Sequence, residues 1–135
     1  KKYPELKIFG HSQPFWAEIG NDTTEENRNS YPTGKIPKEG RLVELMRKYP
    51  NLHADLSAGS GHNAITRDPE FGYDFLEEFQ DRIYFGTDIC APENEGEPFL
   101  GLSRWLDEAA ESGKISSEAH KKISRENAKS NLGIR

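Results

Sequence analysis

Apolar residues along this chain come in short runs parted by polar stretches, and their spacing predicts alternating strands and helices. Residues 6–9, Leu-Lys-Ile-Phe, closed by Gly10-His11, read as a strand. Across residues 39–49, Leu42, Leu45, Met46 and Tyr49 recur at i, i+3, i+4 and i+7, the mark of a helix with one apolar face. Pro50-Asn51 ends it. Residues 52–56 read as a second strand, which runs into the small-residue loop Ser57-Ala58-Gly59-Ser60-Gly61.

Asp68-Pro69-Glu70 has the form of a helix start, with a capping acid, a first-turn proline and an early negative charge. The helix it opens presents Phe71, Phe75, Leu76 and Phe79 on one face. Residues 83–85 form the third predicted strand, and a Pro/Gly/Glu loop spans 91–98. Leu102, Leu106 and Ala109 mark a further helix, which Gly113 breaks and Ser116 restarts. Ala119, Ile123 and Leu132 carry the last helix to Gly133, a predicted C-terminal cap.

The order strand, helix, strand, helix, strand, helix, helix predicts a parallel sheet with right-handed crossovers. In such folds the loops leaving the carboxyl ends of strands face the active site. Gly10-His11, Ser57-Ala58-Gly59 and Gly86-Thr87-Asp88 all stand at that kind of position. Asp88 then has two readings, a solvated turn residue or a carboxylate mounted on the end of a strand. The long polar stretch 12–37 has the length of a functional or mobile connection.

Composition narrows the classes. At 135 residues the chain fits one domain, residues 1–135. Hydrophobic residues make up 33%, and even with 12 glycines the apolar share falls short of the usual ~45–50%. The net charge of −5 comes from dispersed charges, so no basic patch points to nucleic acid. No apolar run approaches the ~18 residues of a membrane span. The single cysteine excludes an intrachain disulfide and favours a reducing, cytoplasmic setting. Lys1-Lys2-Tyr3-Pro4 reads as the tail of a helix ended by proline, so further chain, with any targeting segment, is expected upstream.

Four segments taken together resemble the C-terminal part of an amidohydrolase-related enzyme. They are LKIFGHSQPFW, YPNLHADLSAGSG, FLEEFQDRIYFGTD and ISRENAKSNLG. This is the metal-dependent branch of TIM-barrel hydrolases that also includes decarboxylases of aromatic acids. The resemblance implies an α/β fold, a partial (β/α)8 TIM barrel made of the last three βα units. It also implies a divalent metal, zinc with manganese as the alternative, and a small polar substrate that is hydrolysed or decarboxylated. The family's His-x-His has no counterpart here, because the four histidines stand at 11, 53, 62 and 120. The chain is therefore expected to be a fragment whose metal site is incomplete, without metal-dependent activity by itself.

By the same resemblance, Asp88 matches the last-strand aspartate that binds the metal and exchanges protons with its activated water. A metal lowers the pKa of bound water toward ~7, which gives such a carboxylate its task. His11 matches a strand-end histidine that either binds metal or activates water and polarises the substrate. Gln13, Phe15 and Trp16 follow on the same loop and either line a substrate pocket or plug the rim. Ser57 faces the site, while His62 reads as a loop residue. Asp55 either orients a site residue or pairs with a neighbouring loop. Arg67 either meets an anionic substrate or merely leads into the next helix. Cys90 reads as a small buried packing residue, and His53 and His120 as structural.

The competing reading is a non-catalytic, degenerate barrel piece used for binding or assembly. A partial barrel leaves open sheet edges and uncovered apolar surface, which favour the missing N-terminal portion or a second copy as partner.

Overall fold

Three short parallel strands carry the architecture: β1 (Ile8–Gly10), β2 (Leu52–Asp55) and β3 (Ile83–Tyr84), in the order β1-β2-β3. They belong to a computed structural model that describes residues 3–94 and 100–133. Ile8 pairs with Leu52, Phe9 with His53 and Gly10 with Ala54. On the other side of β2, Ala54 pairs with Ile83 and Asp55 with Tyr84. Because side chains alternate, Ala54 and Ile83 share one face of the sheet, and Phe9, His53, Asp55 and Tyr84 share the other.

The first face meets the helices. These are α1 (Gln13–Ala17), α2 (Arg41–Lys48), α3 (Ala58–Thr66), α4 (Pro69–Phe79), α5 (Gly101–Glu111), α6 (Ser117–Lys121) and α7 (Asn127–Leu132). Leu42, Met46, Leu56, Ile65, Phe75, Leu76, Phe79, Leu102 and Leu106 are buried in one cluster with Ala54 and Ile83. Each large side chain so buried stabilises the fold by roughly 1.5–3 kcal/mol relative to leaving it in water. The second face is aromatic and polar. Phe9, His53 and Tyr84 pack ring against ring at 5.0–5.6 Å.

The parallel alternation expected from the sequence is present, in a mixed helix–sheet fold. Four details differ. Residues 58–66 form α3, where the sequence pattern suggested a loop, and residues 13–17 form the short α1. Asp68 precedes α4 as expected, yet its carboxylate accepts from the Ile36 backbone N–H at 2.9 Å and makes no cap bond. The last helix is not uniform: a five-residue π turn, Lys122–Glu126, joins α6 to α7 before Gly133 ends it in the left-handed region at φ 67°. Lys1, Lys2 and the second half of the predicted 91–98 loop lie outside the described residues.

Side chains tie the elements together. Arg82, just before β3, donates to the carbonyls of Met46, Tyr49 and Leu52 at 2.7–3.3 Å, tying the end of α2 and the start of β2 to the third strand. Asn127 donates to Gln80 O at 2.6 Å and Ile83 O at 2.8 Å, which locks the last helix onto β3. At β1, Leu6, Ile8 and Phe9 are 57%, 50% and 40% exposed, so apolar surface lies open beside the first strand. No helix among the described residues is long and apolar enough to cross a membrane.

Candidate functional site

The register sets the site. Pairing of Gly10 with Ala54 brings the residue after β1, His11, beside the last residue of β2, Asp55. His11 Nδ1 lies 3.2 Å from Asp55 Oδ2, and His11 Nε2 lies 3.9 Å from Asp88 Oδ2. A histidine is thus placed between two carboxylates, one residue from each of three strand-end loops. The sequence pointed to His11 and Asp88; Asp55 completes the line.

Ser57 secures Asp55. Its backbone N–H donates to Asp55 Oδ1 at 2.9 Å and its hydroxyl to Oδ2 at 2.7 Å. The Ser57 oxygen is also 3.4 Å from His11 Nδ1. Both neighbours of Nδ1 are therefore acceptors: a carboxylate, and a hydroxyl whose proton is already given away. In the neutral imidazole the proton accordingly sits on Nδ1, and Nε2 presents its lone pair toward Asp88. From behind, the Trp16 indole N–H donates to the Asp55 backbone carbonyl at 2.9 Å.

Backbone strain gathers at the same rim. The described non-glycine residues with positive φ are Ser12 (83°) and Asp88 (59°), on loops that leave strands, and Ala58 (60°), at the start of α3. Such conformations cost about 1–3 kcal/mol each and persist where the surroundings over-determine them. Gly86 lets the third loop close in, since a Cβ there would lie 3.0 Å from Ser57 Cβ and 3.3 Å from Asp55 Oδ1.

The other candidate residues take different places. Trp16 is 1% exposed and belongs to the core, so it supports the site and does not line it. Phe15 packs against that core with its ring over Gly10, and Gln13 is half-buried at the start of α1. Ser57 is buried against Asp55. His62 stands on α3, not on a loop. Arg67 is taken by Asp22, with two bonds of 2.7 and 2.8 Å and a side chain 3% exposed, so it is withheld from an anionic substrate. Cys90 is exposed, not buried. His53 is hydrogen-bonded to Tyr84 at 2.9 Å and His120 to Asp107 at 2.8 Å, both structural contacts. Burial, with Lys7 and Arg82 adding positive charge nearby, pushes the His53 pKa down.

Among the described residues, no group of three or more His, Cys, Asp or Glu is arranged to hold a metal ion. The donor chemistry of His11 and Asp88 nonetheless suits two positions of such a site. Two tetrahedral ligands at 2.0–2.2 Å from one ion stand about 3.3–3.6 Å apart, so the 3.9 Å between these two closes by a few tenths of an ångström to hold one. Asp55 behind Nδ1 is one of the acceptors to which metal-binding histidines give their second ring N–H.

A family model described as amidohydrolase matches residues 2–134. No curated protein and no solved structure matches the chain.

Proposed function

Because the chain belongs to the amidohydrolase family, we propose that it is the C-terminal part of a metal-dependent hydrolase. In this reading β1, β2 and β3 are the last three strands of a (β/α)8 barrel and residues 1–135 fold as one unit of it. The substrate is small and polar, and water is the attacking group. What carries the proposal is the line Asp55–His11–Asp88 at the strand ends.

With its proton held on Nδ1, His11 offers Nε2 as a base. Nε2 and the Asp88 carboxylate are two acceptors facing each other across 3.9 Å. A cation, or a group with two protons to donate, satisfies both at once. His11 Nε2 and Asp88 are accordingly the two donors this chain gives to a divalent ion, zinc with manganese as the alternative. When bound, that ion supplies a water acidified toward ~7 and a polarised substrate oxygen. Where Asp88 alone holds the ion, Nε2 is instead free to accept a proton. Ser57 keeps Asp55 from turning away, while Gln13 and Phe15 flank the approach.

A catalytic zinc usually takes three protein ligands, so the remaining donors come from outside these residues. The exposed Leu6, Ile8 and Phe9 mark where the rest of a barrel, or a second copy, seats against β1. Equilibrium dialysis with zinc and turnover of a panel of lactones and amides test the proposal on this chain joined to the rest of the barrel, as wild type, His11→Ala and Asp88→Asn. Each substitution is expected to weaken zinc binding by about tenfold or more and to lower kcat/KM by about 10²-fold or more. Unchanged zinc affinity and turnover in both variants contradict it.

A further inference from the structure

Ser12, between His11 and α1, has a φ of 83° and a ψ of 167°, a region of backbone that only glycine adopts with ease. Such a conformation persists where the attachments on either side over-determine it. On one side is the ladder of β1 and β2, which ends as Gly10 pairs with Ala54. On the other is α1, whose five residues are too few to hold a helix by themselves.

Two aromatic side chains hold α1 in place. Phe15 lays its ring over Gly10, filling the space a Cβ there would need. Trp16 is buried, with its ring edge-on to Phe15 at 5.4 Å and to Phe75 at 6.0 Å. Its one polar atom, the indole Nε1, donates to the Asp55 carbonyl oxygen at 2.9 Å.

That oxygen has a particular place in the ladder. The Ile8 N–H donates to Asn51 O, and a parallel ladder repeats every second residue. Carried on, the same pattern would bring the Ser12 N–H to Asp55 O. Ser12 turns out of the strand, and the Trp16 indole supplies the donor. His11 and Trp16 therefore grip one residue between them, His11 Nδ1 at the Asp55 carboxylate and Trp16 at its carbonyl. Residues 11–16 close on Asp55 at both ends, with the strained Ser12 inside the closure.

We propose that Trp16 is a positioning residue, whose indole N–H closes this clip and so fixes where His11 stands against the Asp55 carboxylate. Without the N–H, Ser12 relaxes toward ordinary backbone and carries His11 with it. That His11 serves as base or ligand rests on the hydrolase reading above; that Trp16 fixes its position does not.

The test is ¹⁵N NMR of the His11 imidazole in EDTA at neutral-to-basic pH, on the chain as it stands. Trp16→Phe keeps an aromatic ring in the core and removes the donor. The ratio of Nδ1-protonated to Nε2-protonated ring is expected to fall by about threefold or more, within what one hydrogen bond supplies. Replacing Trp16 with benzothienylalanine, which has the shape of tryptophan and no N–H, should do the same, and it decides the matter if Trp16→Phe does not fold. Phe75→Leu disturbs the packing of the same indole and leaves its N–H, so it should lower the melting temperature without moving the ratio. A ratio within about 1.5-fold of wild type in the folded Trp16 variants, or an equal fall in Phe75→Leu, overturns the proposal. A wild-type ring protonated mainly at Nε2 counts against the hydrolase reading, and the proposal then stands or falls on the same change between wild type and variants.

Discussion

Replacing Asp55 with Ala removes one carboxylate and the acceptor of three contacts. Ser57 N–H at 2.9 Å, Ser57 O–H at 2.7 Å and His11 Nδ1 at 3.2 Å all lose their partner. Ser57 is 5% exposed, so its two donors are left with little access to water. A buried donor stripped of its acceptor costs about 1–3 kcal/mol. The Asp55 side chain is itself 32% exposed, however, and solvent entering its place recovers part of that loss. His11, 41% exposed, finds water readily and adds little. The expected destabilisation is about 2–3 kcal/mol, which lowers a urea midpoint by about 1–2 M for a domain of this size. Fluorescence of Trp16, whose indole donates to the Asp55 carbonyl, reports the transition from within the site. Asp55→Asn keeps the shape and one acceptor, so it loses about 1 kcal/mol. A midpoint for Asp55→Ala within about 0.3 M of wild type refutes this account of the Asp55–Ser57 pair.

Three other outcomes follow from particular contacts. The His53 pKa is lowered in the fold, so the stability it contributes is full above the unfolded value of ~6.5 and is lost as pH falls through the folded one. Urea midpoints should drop between pH 7 and pH 5, a slope that His53→Gln removes; an equal slope in the variant contradicts the assignment. Gly10→Ala drives a Cβ into the Phe15 ring and should destabilise by about 1–3 kcal/mol in thermal melts, with partial recovery in Gly10→Ala/Phe15→Ala. Lack of recovery would place the strain elsewhere. Ala58→Gly relieves a left-handed residue at φ 60° and should raise stability by about 0.5–1 kcal/mol, once the greater freedom of glycine when unfolded is counted. A lowered melting temperature would show that Ala58 is not strained.

Much of the fold was legible along the chain because its helices are amphipathic and its strands apolar. The faces carrying Leu42 and Met46, or Phe75, Leu76 and Phe79, are buried as their periodicity implies. Helix α3 was hidden because Ser57, Gly59, Ser60 and Gly61 have weak helical preference, and tertiary contacts decide their conformation. Trp16 looked like a pocket residue through its nearness to His11; the short α1 turns it inward instead. Cys90, on the loop after β3, is exposed with its thiol beside the Asn94 side chain, and sequence pattern alone did not reveal that.

At the site, His11 and Asp88 could be singled out as polar residues at strand ends. The role of Asp55 as the orienting residue was one of two readings left open, because it depends on register. Shifting β1 by one residue against β2 would move every side chain to the opposite face and separate Asp55 from His11. Only the pairing of Gly10 with Ala54 sets them side by side.

The central claim, that Asp55 fixes His11 so that Nε2 faces Asp88 as a base, is tested most directly by ¹⁵N NMR of the His11 imidazole. In wild type at neutral-to-basic pH, the proton should reside on Nδ1, with Nε2 carrying the shift of an unprotonated nitrogen. Asp55→Ala should return His11 to the mixture of tautomers found in free imidazole. A wild-type ring protonated mainly at Nε2, or a tautomer balance indifferent to Asp55, would contradict the account.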